Sequence, residues 1–259
     1  MLLSNPEPGN AEGTCLSDAT PIDHLMDETF YCDYSHPAIT DLSVKIVQGS
    51  ARQIDTIENI FLFVRDRIVF GGDHWQVKAS ETLLKGYGAC YNKNILMIAL
   101  LRAANIHSKL MANPVHKSFT KPSVGGIHVL FSDPFYHCFS HVWIESRWIA
   151  LDPTLDRTTY ATFFEPAGVA WRIDWDRTGD MLLYSESIAG APRQYHDIDR
   201  ALNNNLDSYF LFRHEPKFLR GAWLSIGNKQ MWKKTQRFPL SSSSERDRPR
   251  GVRNAVRNL

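Results

Sequence analysis

The sequence has few cysteines, and no two of them form a CxxC pair. The four are Cys15, Cys32, Cys90 and Cys138. This scatter argues against a disulfide framework and predicts free thiols in a reducing compartment. No apolar run approaches the ~18 residues that a membrane-spanning helix needs, and the first residues, MLLSNPEPGNAEG, lack the features of a secretory signal. We therefore expect a cytoplasmic protein with no membrane partner.

Several signatures of cofactor and nucleic-acid sites are also missing. The sequence contains no Gly-rich phosphate loop, dinucleotide fingerprint, HExxH motif or nucleic-acid-binding motif. The stretch HCFSH places His137 and His141 on one face of a strand and Cys138 on the other. Zinc requires three or four converging ligands, so this stretch alone does not predict a metal site. We expect no cofactor, no metal and no nucleic-acid partner.

What is present is ordinary globular composition, with 43% hydrophobic and 22% charged residues. We read 1–20 as a loose leader, 21–240 as one domain and 241–259 as a basic, serine-rich, disordered tail. From position 233 onward the chain carries eight Lys and Arg residues against two acidic ones. A basic tail can bind nucleic acid or acidic partners, but a solvated tail without a dedicated partner is the simpler interpretation. The sequence leaves the oligomeric state open.

Hydrophobic periodicity predicts a helix in SARQIDTIENIFLFVRDRIVF, from position 50 to position 70. Ser50 can cap it, and Gln53 would complete a capping box. Gly71 and Gly72 would stop it. A less regular helix is predicted at 197–209, in a second half (156–240) that we expect to pack over the core and shape the substrate pocket.

The stretch KGYGACYNKN, residues 85–94, places a cysteine after two glycines and directly before the apolar run ILMIALLRAA. This predicts a helix that begins near Cys90 and ends at Asn105, in the left-handed conformation. The N-terminus of a helix stabilises a thiolate, whereas a buried structural cysteine needs no such setting. Cys90 is therefore a candidate nucleophile.

A hairpin is predicted from FSHVWIE to RWIALD. If Ser146 and Arg147 form a two-residue turn, His141 lies directly opposite Asp152 on the same face, with Cβ atoms about 4.5–5.5 Å apart. In this register the imidazole of His141 lies beside the carboxylate of Asp152. Cys90, His141 and Asp152 are then the parts of a thiol nucleophile system.

The register of this hairpin rests on its turn, and Ser-Arg is not the turn sequence that such hairpins prefer. A one-residue slip would move the two side chains to opposite faces of the sheet. In that case the next histidine candidates are His116, His128 and His137.

Three motifs in this order resemble the transglutaminase-like superfamily. They are ASETLLKGYGACYNKNILMIALLRAANIHSKLMA, HVWIE and RWIALDPT, and the resemblance covers roughly residues 50–155. The family pattern is Gly-x-Cys before a helix ending in LRAAGI, a His-x-Trp-x-Glu strand and a W-x-x-x-Asp-Pro-Thr strand. Asn105 replaces the family's glycine. The hairpin is shorter than in typical members by about four residues, an even number that keeps side chains on the same faces.

The resemblance implies an α+β fold with a cysteine-protease-like core, in which N-terminal helices include a nucleophile helix packed on an antiparallel sheet. It also implies acyl transfer through a thioester on Cys90, from a peptide, an amide or a carrier-bound acyl substrate. Water would make the protein a peptidase or amidase, and an amine would make it a transglutaminase or an amide-forming enzyme. Small members are often hydrolases, which favours water. The alternative is a non-catalytic interaction module.

The oxyanion of such a reaction would be stabilised by hydrogen-bond donors near the start of the nucleophile helix. The stretch DHWQ, residues 73–76, lies upstream of that helix. Trp75 and Gln76 are therefore candidate oxyanion donors, together with the backbone N–H of Cys90. A simple loop contact is the competing interpretation for both side chains.

Overall fold

The structure is a computed structural model that describes residues 25–195, 197–204 and 217–239. Its eight α-helices are α1 (Pro37–Gln48), α2 (Gln53–Arg67), α3 (Ala79–Lys85), α4 (Cys90–Ala103), α5 (Lys121–Val124), α6 (Arg157–Thr159), α7 (Ile198–Asn204) and α8 (Lys217–Thr235). The predicted leader and tail lie outside the described residues.

The strands form two sheets. They are β1 (Val69–Phe70), β2 (Tyr87–Gly88), β3 (Ser108–Val115), β4 (Phe135–Ile144), β5 (Arg147–Leu151) and β6 (Arg193–Tyr195). The main sheet has four antiparallel strands in the order β5-β4-β3-β6, and β1 pairs with β2 in parallel. The predicted α+β class with an antiparallel sheet is confirmed.

Helix α4 lies at the centre of the core. It packs against β3 and β4 on one side and against α1, α2 and α3 on the other. All seven residues of its Ile95–Leu101 segment are fully buried, because neighbours cover the helix on every side. Asn105 follows it with φ of 58°, the left-handed conformation that the sequence predicts.

Helix α2 begins later than predicted. Arg52, not Ser50, precedes its first residue, and the backbone N–H of Arg52 donates to the Asp55 carboxylate at 3.1 Å. Ser50 instead donates to the carbonyl of Ile46 in the preceding helix. The helix ends at Arg67 because residues 69 and 70 pair with β2.

The β4–β5 hairpin forms as expected, but its predicted register is wrong. The turn is made by Glu145 and Ser146, both with positive φ (48° and 63°), which is the geometry of a type I′ turn. His141 therefore pairs with Ala150, and Asp152 falls beyond the last paired residue of β5. The observed turn has the type I′ geometry that matches the right-handed twist of the flanking strands.

The C-terminal helix α8, which the sequence analysis did not predict, is joined to the strand β1 and the residues that follow it. Asn228 exchanges two hydrogen bonds with the backbone of Gly72, each of 2.7 Å, and the indole of Trp232 donates to the carbonyl of Phe70 at 3.0 Å. The predicted helix at 197–209 is observed as α7, from 198 to 204, and the rest of that range lies outside the described residues.

None of the helices in the ranges given above is long and apolar enough to cross a bilayer.

Candidate active site

The candidate nucleophile, Cys90, is the first residue of α4 and is only 4% exposed. The chain reaches it through Gly88, where an added Cβ would lie 2.7 Å from the Cβ of Asn92. The Asn92 amide oxygen accepts a hydrogen bond of 2.9 Å from the backbone N–H of Ala89. The close approach of Asn92 therefore requires glycine at 88 and fixes the backbone just before the thiol.

The imidazole beside this thiol belongs to His137, not to His141. Nε2 of His137 lies 2.6 Å from Oδ2 of Asp152, and the same imidazole hydrogen-bonds with the Cys90 side chain. Because Asp152 engages Nε2, Nδ1 is the nitrogen left for the thiol. The structure thus brings together two of the three predicted residues, Cys90 and Asp152, with His137 between them.

The Asp152 side chain forms an Asx-turn with Thr154, which holds the carboxylate in place. Its second oxygen accepts hydrogen bonds from the backbone N–H of Thr154, at 3.1 Å, and from the Thr154 hydroxyl. Asp152 is fully buried, so these bonds and the imidazole satisfy a charge that would be costly to bury alone. The sequence DPT therefore both forms the turn and orients the carboxylate.

Electrostatics favour the charged form of the imidazole. Burial lowers the pKa of His137, but the charges of Asp152 and Cys90, and hydrogen bonds to both, outweigh burial and raise it to about 10. An imidazolium at neutral pH can pair with a thiolate on one side and a carboxylate on the other. This is the charge pattern of an activated cysteine.

Asn94, one turn into α4, joins the nucleophile helix to the strand that carries the histidine. Its amide donates to the carbonyls of Cys90, at 2.8 Å, and of Cys138, at 3.0 Å, and its oxygen accepts from Ser140 at 2.8 Å. All of these groups are buried. The bonds fix the start of α4 relative to the backbone next to His137.

His141 lies in a different environment. Its ring contacts those of Phe139, with centroids 5.4 Å apart, and Trp148, at 6.2 Å. Trp148 also contacts Trp143 and the ammonium group of Lys109. The predicted pairing of His141 with Asp152 is wrong, because β5 ends before Asp152 and β4 extends back to the earlier histidine.

The loop that holds the candidate oxyanion donors packs on the first turn of α4. Asn92 donates to the carbonyl of His74, and the Tyr91 hydroxyl donates to that of Asp73, each at 2.9 Å. Trp75 is buried and stacks on His74, while the Gln76 side-chain amide donates to Asn203 at 2.8 Å. The oxyanion role of Trp75 and Gln76 stays a prediction.

Tyr184 is a residue of the site that the sequence analysis did not identify. Its ring stands nearly perpendicular to the His137 imidazole, with centroids 4.3 Å apart, and its backbone adopts φ of 62°. Burial, then the charges of Asp152 and Cys90, hold its pKa well above the ordinary value for tyrosine. No motif surrounds Tyr184, so only the three-dimensional structure could reveal it.

A family model matches the part of the chain that carries these residues. Residues 40–153 match the family model described as the transglutaminase-like superfamily. This part of the chain is transglutaminase-like. The superfamily comprises cysteine-based acyltransferases and hydrolases, and the matched range contains Cys90, His137 and Asp152. Among curated proteins, none matches this chain significantly.

Solved structures give more distant similarities. A candidate cysteine protease from Cytophaga hutchinsonii is 19% identical over 51% of this chain and 42% of that one, with a TM-score of 0.42. The periplasmic domain of TgpA from Pseudomonas aeruginosa is 14% identical over 53% and 47%, with a TM-score of 0.36. Red sea bream transglutaminase is 12% identical over 83% and 42%, with a TM-score of 0.38. Each match spans less than half of the other chain.

One departure from the family pattern, the short hairpin, could have identified His137. The stretch between His141 and Asp152 is shorter than in typical members by about four residues, which is the spacing from His137 to His141. Taking the earlier histidine restores the length. The HVWIE motif favours the later histidine, because Trp143 and Glu145 follow it at the family spacing.

Proposed function

We propose that this chain is a thiol-dependent acyl-transfer enzyme, with Cys90 as nucleophile, His137 as general acid and base, and Asp152 as the carboxylate that orients the imidazole. The supporting observation is the continuous hydrogen-bonded contact from the Cys90 thiol through His137 to Asp152. The transglutaminase-like match over residues 40–153 agrees with this chemistry.

In the first half of the reaction, the Cys90 thiolate attacks the carbonyl carbon of the substrate. A carbon–sulfur bond forms and the carbonyl π electrons move to oxygen. When this intermediate collapses, the bond to the leaving group breaks, and the leaving group takes the proton from Nδ1 of His137. The product is a thioester on Cys90.

In the second half, neutral His137 takes a proton from the incoming nucleophile, which attacks the thioester and releases Cys90 as thiolate. Water gives hydrolysis and an amine gives acyl transfer, and the same three residues serve both outcomes. The substrates in this proposal are peptides, amides or carrier-bound acyl groups. Hydrolysis remains the favoured outcome.

The oxyanion of both intermediates forms beside the first turn of α4. The positive end of the α4 dipole favours negative charge at this position. Trp75 remains the candidate side-chain donor because its loop is bonded to Tyr91 and Asn92 of that turn. Gln76 would first have to release Asn203.

The experiment is a panel of small amides, esters and thioesters, with the acyl adduct on Cys90 detected by mass spectrometry. We expect an adduct with wild type and none with Cys90→Ala. We also expect His137→Ala to prevent turnover of the adduct, and His141→Ala, a matched control on the same strand, to retain it. An acyl adduct at another residue of the Cys90→Ala protein would refute the proposal. Equal turnover of the adduct by the two histidine variants would refute it as well.

A further inference from the structure

A set of aromatic side chains extends outward from the imidazole of His137. We call Phe119, Trp171 and Tyr184 the aromatic wall. Tyr184 contacts the imidazole at 4.3 Å, and Phe119 lies 4.0 Å from Tyr184 and 6.3 Å from the imidazole. Trp171 lies 4.5 Å from Tyr184 and 6.2 Å from Phe119, all between ring centroids.

The wall packs against two buried rings and is itself partly exposed. Phe135 backs Phe119 at 5.3 Å, and Phe164 backs Trp171 at 4.9 Å; both backing rings are buried. Tyr184 is 2% exposed, whereas Phe119 and Trp171 are half-buried. Rigid aromatic rings that keep an exposed surface next to a reactive group are typical of ligand pockets.

Two cations that lie near the wall in the sequence, Lys117 and Arg172, are directed to other partners. The Lys117 ammonium group donates to the carbonyl of Val129 at 3.2 Å, and Arg172 pairs with Asp176 at 2.5 Å. The rings of the wall themselves present apolar and π surface. Its chemistry suits an aromatic group and not an acidic one.

The position of the wall relates it to one side of the substrate. His137 gives its proton to the leaving group, so the leaving group must lie on the imidazole side of the scissile bond. By the same geometry, the incoming nucleophile of the second step occupies that side, since it gives its proton to the same nitrogen. Rings that begin at the imidazole therefore lie near the side of the scissile bond that the leaving group and the acceptor share.

Resting on the proposed function of Cys90, we propose that the aromatic wall is the subsite for the leaving group, or for an amine acceptor, and that it selects one carrying an aromatic ring. Preferred substrates are then amides of arylalkylamines, or peptides with an aromatic residue directly after the scissile bond. Phe119 and Trp171 determine this specificity, and Tyr184 forms the floor between them and His137.

The test is binding to the Cys90→Ala protein, in which no turnover occurs. N-(2-phenylethyl)acetamide and N-ethylacetamide share the same acyl group and amide bond, and only the first carries a ring. We expect the aromatic amide to bind about tenfold more tightly, as one well-packed aromatic contact with its buried area allows. Titration followed by NMR or calorimetry measures both constants.

Substitutions in the wall test whether the preference for the aromatic amide arises there. Phe119→Leu and Trp171→Leu, each added to Cys90→Ala, keep an apolar side chain and should reduce the tenfold preference to about twofold or less. Trp143→Leu is the matched control, because Trp143 is also half-buried but packs on Trp148 of the sheet. Unchanged melting temperatures would show that the variants fold.

Equal binding of the two amides would overturn the proposal, and so would a preference that survives both wall variants. Failure of the proposed function gives a different result. If the aromatic amide binds at the wall but wild type forms no adduct on Cys90, the wall binds aromatic groups and the nucleophile assignment is wrong. If the adduct forms without any aromatic preference, the assignment of Cys90 as nucleophile is supported and the proposed aromatic subsite is wrong.

Discussion

Oδ2 of Asp152 lies 2.6 Å from Nε2 of His137, a residue 15 positions earlier in the chain. The strands that carry or precede these residues are adjacent, but the two residues are not paired in the sheet, since β5 ends at Leu151. Asp152 reaches the imidazole from the turn that follows β5. Both side chains are buried. The imidazole also hydrogen-bonds with Cys90, and the carboxylate also accepts a hydrogen bond from Thr154. The Asp152 carboxylate is thus joined to His137 and not to His141.

Replacing the two histidines of β4 should separate a catalytic from a packing role. His137→Ala should lower kcat by about 10²- to 10⁴-fold, because the proton donor and acceptor is lost. His141→Ala should change kcat by less than about threefold, since its ring packs with Phe139 and Trp148. Single-turnover kinetics on any substrate from the panel measures both. The reverse order of effects would return the assignment to His141.

The buried cysteines should differ in reactivity. Cys90 should react with iodoacetamide near pH 6, because the His137 imidazolium stabilises its thiolate. Burial raises the pKa of Cys32 to about 12, and burial also raises the pKa of Cys138 well above its ordinary value. Peptide mapping after brief labelling of the folded protein measures each site. Equal labelling of Cys32 and Cys90 would contradict the assignment.

The raised pKa of His137 predicts a pH dependence of stability. Its value rises from 6.5 to about 10 in the folded protein. A group whose pKa is raised by folding stabilises the folded state fully at pH values below its unfolded pKa. This contribution is lost as the pH rises through its folded pKa. In the unfolded chain the Cys90 thiol keeps its proton up to about pH 8.5, so the proton that folding removes from it offsets the gain by the imidazole near neutral pH. The melting temperature should therefore fall mainly between about pH 8.5 and pH 10. His137→Gln should show a weaker fall than wild type, whereas His141→Gln should retain the wild-type slope. Equal slopes for all three proteins would mean that the imidazole gains no proton on folding.

A methyl group at Gly88 should disturb the nucleophile. In Gly88→Ala the new Cβ would meet the Cβ of Asn92 at 2.7 Å and Thr82 at 3.3 Å, so the turn before Cys90 must shift. We expect at least a tenfold loss of adduct formation, because small displacements of a nucleophile are costly. Gly179→Ala is the control, since nothing lies within 4 Å of its added Cβ. If both variants kept wild-type rates, the Gly88 backbone would not position the thiol.

The C-terminal end of the described chain should contribute to stability, and the tail beyond it should not. Arg237 forms an ion pair of 2.9 Å with the buried Asp156, which also interacts with the charge of buried Lys93. Arg237→Ala should lower the free energy of unfolding by about 1–3 kcal/mol, because Asp156 loses one of its partners. Deletion of residues 241–259 should leave stability and catalysis unchanged. Chemical denaturation measures both proteins. A large loss on deletion would show that the tail docks on the domain.

The sequence by itself determined the start and end of the nucleophile helix and the existence of the β4–β5 hairpin. These features follow from local interactions: two glycines before Cys90, a helical apolar pattern, and Asn105 in the left-handed conformation. The position of Asp152 in a DPT turn is local as well. Cys90 and Asp152 could therefore be identified as candidates without a structure.

Only the tertiary structure decided which histidine joins them. The choice depends on the register of a hairpin, and the register depends on whether the turn begins at Glu145 or one residue later. Both turns bury the same alternating residues of β4, so the hydrophobic pattern does not distinguish them. A turn that begins at Glu145 shifts the strand pairing by two residues, which leaves Asp152 beyond the end of β5, and from there its side chain contacts His137. Tyr184, Phe119 and Trp171 come from separate segments whose meeting point depends on how the whole chain packs, which no local pattern encodes.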